Sequence, residues 1–326
     1  MMRIKSESQA ILSELTPSAW QRHHILDLDD FTPEEIELVF QISDTMKEVL
    51  GRDIKRVPTL RGKTIVNFFY EPSTRTRASF ELAAKRLSAD VVSIASPTSS
   101  VAKGESLVDT ICTLEALGAD AMVIRHPQAG APYLAAQYSQ MSIINAGDGC
   151  HAHPTQALLD LYTIRQHLGG VKRVKVVIVG DIRHSRVARS NIWGLTLMGA
   201  QVVLSAPPTL LPLAWDTSCL PQVTIEPNLA YALEGAEVVM ALRLQEERQQ
   251  DRLLPSLDEY SRLYQLNEER LAKANSSIIV MHPGPMNEGV EITPEVSHGA
   301  HSVIGNQVTN GVAIRMALFY LLLSGR

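Results

Sequence analysis

From His24 onward, short apolar segments alternate with longer amphipathic ones, and this alternation is the strongest constraint on the fold. Apolar strands that alternate with amphipathic helices are typical of parallel β-sheets with crossover helices. The candidate strands are Thr64 to Tyr70, Val91 to Ala95, Ala121 to Ile124, Ser142 to Asn145, Lys175 to Val179, Gln201 to Ser205, Glu237 to Leu242 and Ser277 to Met281. The unusual polar residues follow the carboxyl ends of these strands, where open α/β sheets bind ligands. We therefore expect an α/β protein with its site at the strand ends.

Length, charge and cysteine content narrow the class of protein. The 326 residues are enough for two domains, since about 100 to 200 residues per domain is typical. The formal net charge of -5 gives no support for nucleic acid or an anionic membrane as partner. Cys112, Cys150 and Cys219 are too few and too scattered for a disulfide framework or a zinc ribbon, which predicts reduced thiols and a cytoplasmic location. Residues 1–22 lack a continuous apolar core, so we interpret them as an N-terminal extension rather than a targeting peptide.

A polar turn follows the first candidate strand and consists of Ser73, Thr74, Arg75 and Thr76. Ser73 is predicted to cap a helix whose apolar stripe begins at Phe80. Unpaired N–H groups at a helix start attract anions, and here hydroxyls and a guanidinium accompany them. Arg75 and Arg77 are about 200° apart on a helix, so only one can face a given anion. A phosphate site and a capped helix with two solvated arginines are about equally compatible with this pattern.

Two further strand ends in the first half carry candidate ligand-binding residues. Arg125 ends an apolar strand just before a proline turn, which predicts a pre-positioned donor. The alternative is a strand-end arginine that pairs with a nearby carboxylate. Farther along, Pro154 suits the first turn of a helix, which places His153 and Gln156 at the helix start. Cys150, His151 and His153 lack a fourth ligand nearby, so a structural zinc site is not expected.

In the second half, the turn after Lys175 to Val179 has no Gly-x-Gly-x-x-Gly pattern, which argues against a dinucleotide-binding dehydrogenase. Instead a helix is predicted to start near Ser185 with Arg186 at its beginning, an arrangement that suits a carboxylate. Arg243 ends a later strand, and Gln245 lies on the same side if the chain is extended. Two guanidinium groups match two carboxylates well, although a purely solvated role for Arg243 is also open.

The last strand leads into a stiff turn, Met281-His282-Pro283-Gly284-Pro285-Met286-Asn287, whose backbone carbonyls can accept hydrogen bonds from an amide. The segment from Gln307 to Leu323 is apolar almost all round but is interrupted by Arg315. Its apolar part is shorter than the roughly 20 residues of a membrane span. We therefore predict a helix buried between other elements.

Six segments, in order along the chain, resemble the motifs of the aspartate/ornithine carbamoyltransferase family. They are Ser-Thr-Arg-Thr-Arg from Ser73, Ser-Ser-Val-Ala-Lys-Gly-Glu-Ser from Ser99, Arg-His-Pro from Arg125, His-Pro-Thr-Gln from His153, Arg-Leu-Gln from Arg243 and His-Pro-Gly-Pro from His282. The last segment is similar to the aspartate members, because the ornithine members have His-Cys-Leu-Pro there. One departure is Glu288, where many relatives have arginine.

This resemblance implies an α/β fold of two doubly wound domains, each with a parallel sheet flanked by helices, and an active site in the cleft between them. Residues 1–155 with 308–326 are expected to bind carbamoyl phosphate, and residues 156–307 to bind L-aspartate. The implied reaction transfers the carbamoyl group of carbamoyl phosphate to the amine of L-aspartate. It gives N-carbamoyl-L-aspartate and phosphate in de novo pyrimidine biosynthesis, with no metal and no cofactor.

The resemblance also implies a role for each matching residue. The residues expected to contact carbamoyl phosphate are Ser73, Thr74, Arg75, Thr76, Ser99, Arg125, His153, Gln156, Pro283, Gly284 and Pro285. Those expected to contact L-aspartate are Lys103, Arg186, Arg243 and Gln245. Among them, the catalytic residues are expected to be Thr76, Lys103, Arg125 and His153. In the family, Ser99 and Lys103 enter the site of a neighbouring subunit, which implies a homotrimer with shared sites.

Other hypotheses stay open on the sequence alone. An ornithine or other carbamoyltransferase is the nearest, and a non-catalytic homologue that serves only in assembly or regulation is the second. A nucleotide-binding dehydrogenase is more distant. A regulatory chain or a dihydroorotase partner is compatible with the resemblance and is not decided by it.

Overall fold

The computed structural model describes residues 20–95, 106–212, 221–245 and 253–324. They form two compact units, the first comprising described residues up to Thr155 and from Thr309 onward, and the second comprising those within Gln156–Val308. Each unit contains one parallel β-sheet accompanied by helices. The predicted α/β class, with two parallel sheets, is therefore confirmed.

The first unit is built on four strands, β1 Thr64–Phe69, β2 Asp90–Ala95, β3 Ala121–His126 and β4 Ser142–Asp148. All pairings are parallel, and the strand order is β2-β1-β3-β4. The helices of this part of the chain are α1 Pro33–Leu50, α2 Thr74–Arg86, α3 Leu107–Ala116, α4 Ala131–Gln137 and α5 Pro154–Leu168. The last of these begins in the first unit and continues into the second.

The second unit is built on five strands, β5 Lys175–Val179, β6 Gln201–Ser205, β7 Thr224–Ile225, β8 Val238–Ala241 and β9 Ile279–Met281. They are also parallel and follow the order β7-β6-β5-β8-β9. The remaining helices are α6 Arg186–Leu197, α7 Leu229–Leu233, α8 Leu257–Tyr264, α9 Glu268–Leu271, α10 Pro294–Ser297 and α11 Ile304–Leu323. Because the strands of each sheet are parallel, their carboxyl ends meet at one edge of that sheet.

The strands of the first unit have continuous apolar sequences because they are buried in its core. Phe68 on β1 and Ile124 on β3 are fully buried and lie in one cluster with Ile111 of α3. A strand covered on both faces needs apolar residues at successive positions, as the sequence has here. This packing holds the carboxyl ends of β1 and β3 next to each other.

Some strands end at other residues than predicted. β3 and β4 are longer than predicted because polar residues continue the strand pairing beyond the apolar run. β3 reaches His126 rather than Ile124, so that Arg125 lies inside the strand, paired with Phe69 of β1. β4 reaches Asp148 rather than Asn145. β8 is shorter than predicted and ends at Ala241 rather than Leu242. β7 was not predicted, because its two residues are exposed and carry no apolar pattern.

The carboxyl-terminal helix α11 is buried as predicted, and its one arginine is accommodated within the first unit. Arg315 donates from Nη1 to Ser79 Oγ at 2.7 Å, and its guanidinium lies 4.7 Å from the centre of the Phe80 ring. Phe319, one turn farther along, makes an edge-on contact with the same ring. Among the helices of the described residues, none combines the length and apolar character that a membrane crossing requires.

Candidate active site

The turn between β1 and α2 presents the predicted phosphate-binding hydroxyls. Ser73 occupies the N-cap position, but its side chain makes no capping hydrogen bond, so the prediction that it caps the helix is wrong in this respect. Its backbone has the extended conformation usual for an N-cap residue, with φ -161° and ψ 95°. Thr74 and Arg75 are exposed, and Thr76 is half-buried. The helix is anchored from its other side by buried residues such as Phe80, which leaves its N-terminal turn accessible.

Arg125 lies near the end of the neighbouring strand, beside Glu71 and the backbone of Ala146. Its Nε lies 3.2 Å from Glu71 Oε2, and its Nη1 lies 3.5 Å from the Ala146 carbonyl oxygen. Its own carbonyl accepts from the Tyr70 N–H at 2.8 Å, which joins the end of β3 to the segment after β1. The carboxylate partner considered from the sequence is therefore present. The guanidinium is fixed between an acidic side chain and a backbone carbonyl.

The loop between β4 and α5 is organised by Asp148, which is fully buried. Its Oδ1 accepts from Asn145 Nδ2 at 2.8 Å and from the Ala152 N–H at 3.0 Å, while its Oδ2 accepts from the Gly130 N–H at 2.8 Å. Burial opposes ionisation, but hydrogen bonds from His151 and Asn145 outweigh it and lower the pKa of Asp148.

Gly149 lets this loop pass close to the preceding one. Its φ is +47°, and a Cβ there would lie 2.9 Å from the Ala129 nitrogen. The chain then enters α5 through His153, whose exposed fraction is 4%. The tight loop thus places His153 at the start of the helix, as predicted, and the structure shows in addition that its side chain is buried.

His151 lies between two carboxylates in this loop. Its Nδ1 is 3.1 Å from Asp148 Oδ2, and its Nε2 is 3.5 Å from Asp27 Oδ2. Burial raises the pKa of Asp27 to about 6. Within the described residues, no group of three or more histidine, cysteine, aspartate or glutamate side chains is arranged to hold a metal ion.

Gln156 occupies the first turn of α5 and is buried. Its Nε2 donates to Asp160 Oδ1 at 3.0 Å, one turn farther along the same helix. The amide of Gln156 is therefore oriented by a carboxylate that the sequence analysis did not single out. The spacing of four residues, which places Gln156 and Asp160 on one helix face, is a signal that could have revealed this pair.

In the second unit, the turn between β5 and α6 presents Arg186. Gly180 has a φ of +124°, and a Cβ there would lie 2.8 Å from the Leu242 carbonyl oxygen, so the turn needs glycine. Ser185 caps α6 by accepting from the Ala188 N–H at 3.1 Å. Arg186 is the first residue of the helix, as expected, and is buried.

The segment after β8 is tied to this turn through the buried Asp181. Asp181 Oδ1 lies 2.7 Å from His184 Nδ1, and Asp181 Oδ2 accepts from the Gln245 N–H at 3.4 Å. Gln245 Nε2 also lies 3.4 Å from the His184 carbonyl oxygen. Arg243 lies two residues beyond the end of β8 and is half-buried. Asp181 therefore joins the segment that carries Arg186 to the segment that carries Arg243. The sequence analysis did not identify Asp181 as the residue that links these two segments.

The turn that follows β9 is braced by a histidine and a glutamate. His282 Nδ1 accepts from the Gly284 N–H at 2.7 Å, and His282 Nε2 lies 3.3 Å from Glu291 Oε1. Glu291 also accepts from the Asn287 N–H at 2.6 Å. This local bonding fixes the backbone around Pro283, Gly284 and Pro285. Ser99 and Lys103, in contrast, lie outside the described residues.

Glu288, the residue that departs from the family pattern, has local partners. Its Oε1 lies 2.8 Å from His298 Nε2 and accepts from Ser297 Oγ at 3.0 Å. Both partners are at the end of α10 or directly after it. Glu288 therefore connects the turn after β9 with that short helix.

Comparison with known proteins gives matches along nearly the whole chain. The carbamoyl-phosphate-binding domain of the aspartate/ornithine carbamoyltransferases matches residues 23–166, and their Asp/Orn-binding domain matches residues 172–322. The aspartate carbamoyltransferase catalytic subunit of Roseiflexus sp. (strain RS-1) is 62% identical over 303 residues, which cover 93% of this chain and 95% of the relative.

Solved structures agree with these sequence matches. The aspartate transcarbamoylase of Trypanosoma cruzi in complex with carbamoyl phosphate superposes with a TM-score of 0.86 at 29% identity, covering 95% of this chain and 99% of that one. The ornithine carbamoyltransferase of Pyrococcus furiosus gives a TM-score of 0.83 at 27% identity, covering 93% of this chain and 98% of that one.

The two parallel sheets and the matches to both domains of this family define an α/β enzyme of the carbamoyl-transferring class. With both family domains matched in order, the chain belongs to the aspartate/ornithine carbamoyltransferase family.

Proposed function

We propose that this chain transfers the carbamoyl group of carbamoyl phosphate to the amine of L-aspartate, giving N-carbamoyl-L-aspartate and phosphate. The product serves de novo pyrimidine biosynthesis. The observation that carries the choice of acceptor is the 62% identity, over 93% of this chain, to an aspartate carbamoyltransferase catalytic subunit. The residue chemistry supports it, because two arginines suit the two carboxylates of aspartate, whereas the amine of ornithine calls for an acidic partner.

The first unit would hold the phosphate and polarise the carbonyl group of carbamoyl phosphate. Phosphate binding is assigned to the N-terminal turn of α2, through Ser73, Thr74, Arg75 and Thr76, with Ser99 of a neighbouring subunit. The accessible N-terminal turn of α2 and the absence of a capping bond from the Ser73 side chain support this assignment. Thr76, Arg125 and His153 would donate to the carbonyl oxygen, where negative charge develops during attack.

The second unit would orient the carbamoyl amide and the acceptor. Gln156 and the backbone around Pro283, Gly284 and Pro285 would receive the carbamoyl NH2 group. Binding of the aspartate carboxylates is assigned to Arg186, Arg243 and Gln245, together with Lys103. The bonds of Gln245 to Asp181 and His184 support a shared role for the two arginine-bearing segments.

In the proposed reaction, the aspartate amine attacks the carbonyl carbon of carbamoyl phosphate. The bond from that carbon to the phosphate oxygen breaks, and the departing phosphate accepts the amine proton. Positioning of the two reactants and stabilisation of the developing oxyanion supply most of the acceleration. No covalent intermediate with the protein is required.

Two further proposals concern the protein as a whole. We infer a homotrimer with shared sites from the likeness of the Ser99–Lys103 segment to the family loop that enters a neighbouring subunit. A cytoplasmic location rests on the scarce and scattered cysteines.

The test is phosphate release by the purified chain with carbamoyl phosphate, with either L-aspartate or L-ornithine as acceptor in metal-free buffer. Spontaneous breakdown of carbamoyl phosphate is subtracted with a protein-free blank. We expect release that depends on L-aspartate and N-carbamoyl-L-aspartate as the product. Phosphate release that depends on L-ornithine instead would identify the chain as an ornithine carbamoyltransferase. If neither acceptor gives phosphate release above the blank, the proposal is overturned.

A further inference from the structure

We propose that Asp160 is a positioning residue that orients the groups assigned to the carbamoyl NH2 and thereby sets the preference for a carbamoyl donor. This inference rests on the proposed function. It is carried by a buried hydrogen-bond network that lies entirely in the second unit. Asp160 itself is fully buried on α5.

Three side-chain amides donate to the Asp160 carboxylate. Its Oδ1 accepts from Gln156 Nε2 at 3.0 Å and from Gln307 Nε2 at 2.7 Å. Its Oδ2 accepts from Asn191 Nδ2 at 2.9 Å. All three donors are buried, so each bond is made without competition from bulk water.

A carboxylate can only accept, and this decides which way each amide faces. Gln156 and Gln307 must both turn their NH2 groups toward Asp160, which directs their carbonyl oxygens elsewhere. For Gln307 the consequence is visible, since its Oε1 accepts from the His282 N–H at 2.9 Å. For Gln156 the carbonyl oxygen becomes the atom offered to a ligand, and an acceptor is what a carbamoyl NH2 needs.

Asp160 thus connects two elements that are assigned to the same substrate group. Through Gln156 it fixes an acceptor at the start of α5. Through Gln307 it fixes the backbone of His282, the residue that leads into Pro283, Gly284 and Pro285. One carboxylate therefore sets the geometry of both acceptors for the carbamoyl NH2.

The third donor extends the network to α6. Asn191 Nδ2 also donates to the Val187 carbonyl oxygen at 3.0 Å, within the helix that begins at Arg186. Asn191 is therefore anchored in its own helix independently of Asp160. We expect the position of Arg186, and with it aspartate binding, to depend less on Asp160 than carbamoyl binding does.

The decisive variant is Asp160→Asn, which keeps the shape but places one NH2 group where three amides donate. At least one of these amides must turn over or lose its partner. We expect kcat/KM for carbamoyl phosphate to fall by about 10- to 100-fold, because a site built around a hydrogen bond discriminates strongly when that bond is lost.

The comparison that isolates the carbamoyl NH2 uses acetyl phosphate, which has a methyl group in its place and retains the phosphate. Its inhibition constant against carbamoyl phosphate, and that of inorganic phosphate, should change by no more than about twofold in Asp160→Asn. The KM for L-aspartate should change less than the KM for carbamoyl phosphate. A fall in kcat/KM for carbamoyl phosphate without a matching change in the two inhibition constants supports the inference.

Two control variants separate positioning from general damage. Thr163→Val removes another fully buried polar group on α5, whose Oγ1 donates to the Leu159 carbonyl oxygen at 2.7 Å, and should leave the selectivity unchanged. Gln307→Met cuts only the connection from Asp160 to His282, so it provides the test if Asp160→Asn fails to fold. It should also lower kcat/KM selectively for carbamoyl phosphate.

Two results would overturn the inference while leaving the proposed function intact. One is an active wild-type enzyme whose Asp160→Asn variant loses carbamoyl phosphate, acetyl phosphate and phosphate binding to the same extent. The other is an Asp160→Asn variant with unchanged kinetics. Failure of the proposed function is a separate outcome, because the wild-type chain would then form no N-carbamoyl-L-aspartate.

Discussion

Asp27 is a buried carboxyl group whose ionisation should make stability depend on pH. Burial raises its pKa from 3.8 to about 6, and its exposed fraction is 3%. Because the folded protein holds this proton more tightly than the unfolded chain, the stabilisation is complete below about pH 4 and is lost as pH rises through 6. A rise of this size corresponds to about 3 kcal/mol, at about 1.4 kcal/mol for each pKa unit.

We therefore expect Asp27→Asn to gain stability relative to the wild type as pH rises. Asparagine stays neutral and can still accept from the Leu28 N–H, a bond that Asp27 Oδ1 makes at 2.8 Å. The measurement is urea unfolding of both proteins at intervals between pH 4.5 and 7.5. Asp53→Asn, at an exposed site, is the control and should show little change. A difference between Asp27→Asn and wild type that stays constant over this range would contradict the pKa shift.

Arg125 shows what residue types alone leave undecided. The sequence predicted its place at a strand end, but not whether it would meet a carboxylate or a ligand. The structure pairs its Nε with Glu71 at 3.2 Å. A guanidinium has five N–H donors on a planar fork, so an ion pair at one edge is compatible with a substrate contact at another.

At the scale of elements, the start of α2 offers a test of whether its serine serves the helix or a ligand. Ser73 makes no capping bond, whereas Ser256 caps α8 by accepting from the Glu259 N–H at 3.1 Å. The same change at both positions should therefore have opposite consequences. Ser256→Ala should lower the free energy of unfolding by about 1 kcal/mol and leave the KM for carbamoyl phosphate unchanged.

Ser73→Ala should leave the free energy of unfolding within about 0.5 kcal/mol of wild type, because no capping bond is lost. If the hydroxyl binds phosphate, the KM for carbamoyl phosphate should rise about tenfold. A change of this size corresponds to the loss of one charge-assisted hydrogen bond. Urea unfolding and initial-rate kinetics on the two variants give both quantities. A Ser73→Ala variant that is less stable but kinetically normal would assign this serine to the helix instead.

The order and type of most elements could be predicted from the sequence, because buried parallel strands and amphipathic helices have distinct patterns of apolar residues. Several strand ends could not, among them those of β3 and β4, which continue into polar residues whose partners are distant in sequence. Asn145, for example, donates to the Leu26 carbonyl oxygen at 2.9 Å. Likewise, the amide of Gln156 is oriented partly by the network that includes Gln307, 147 residues beyond Asp160. Such pairings depend on the folded chain, and local spacing does not reveal them.

At the scale of the whole molecule, the open question is whether one chain carries a complete site. Ser99 and Lys103 resemble family residues that enter a neighbouring subunit, whereas His153 lies at the start of α5 in its own chain. Lys103→Ala and His153→Ala should each abolish most turnover while leaving the fold intact. If sites are shared, a chain with one change can complement a chain with the other.

Subunit exchange between these two inactive variants should therefore restore activity. In a cyclic trimer with one or two chains of each kind, one of the three interfaces joins an intact Lys103 to an intact His153. Equal mixing makes about three quarters of the trimers hybrid, so about one quarter of the sites should become wild type. Each variant taken alone through the same exchange is the control, and native mass spectrometry of one isotopically labelled variant shows that exchange occurred. Hybrid trimers without recovered activity would mean that Lys103 and His153 act within one chain, because every site would then carry one of the two substitutions.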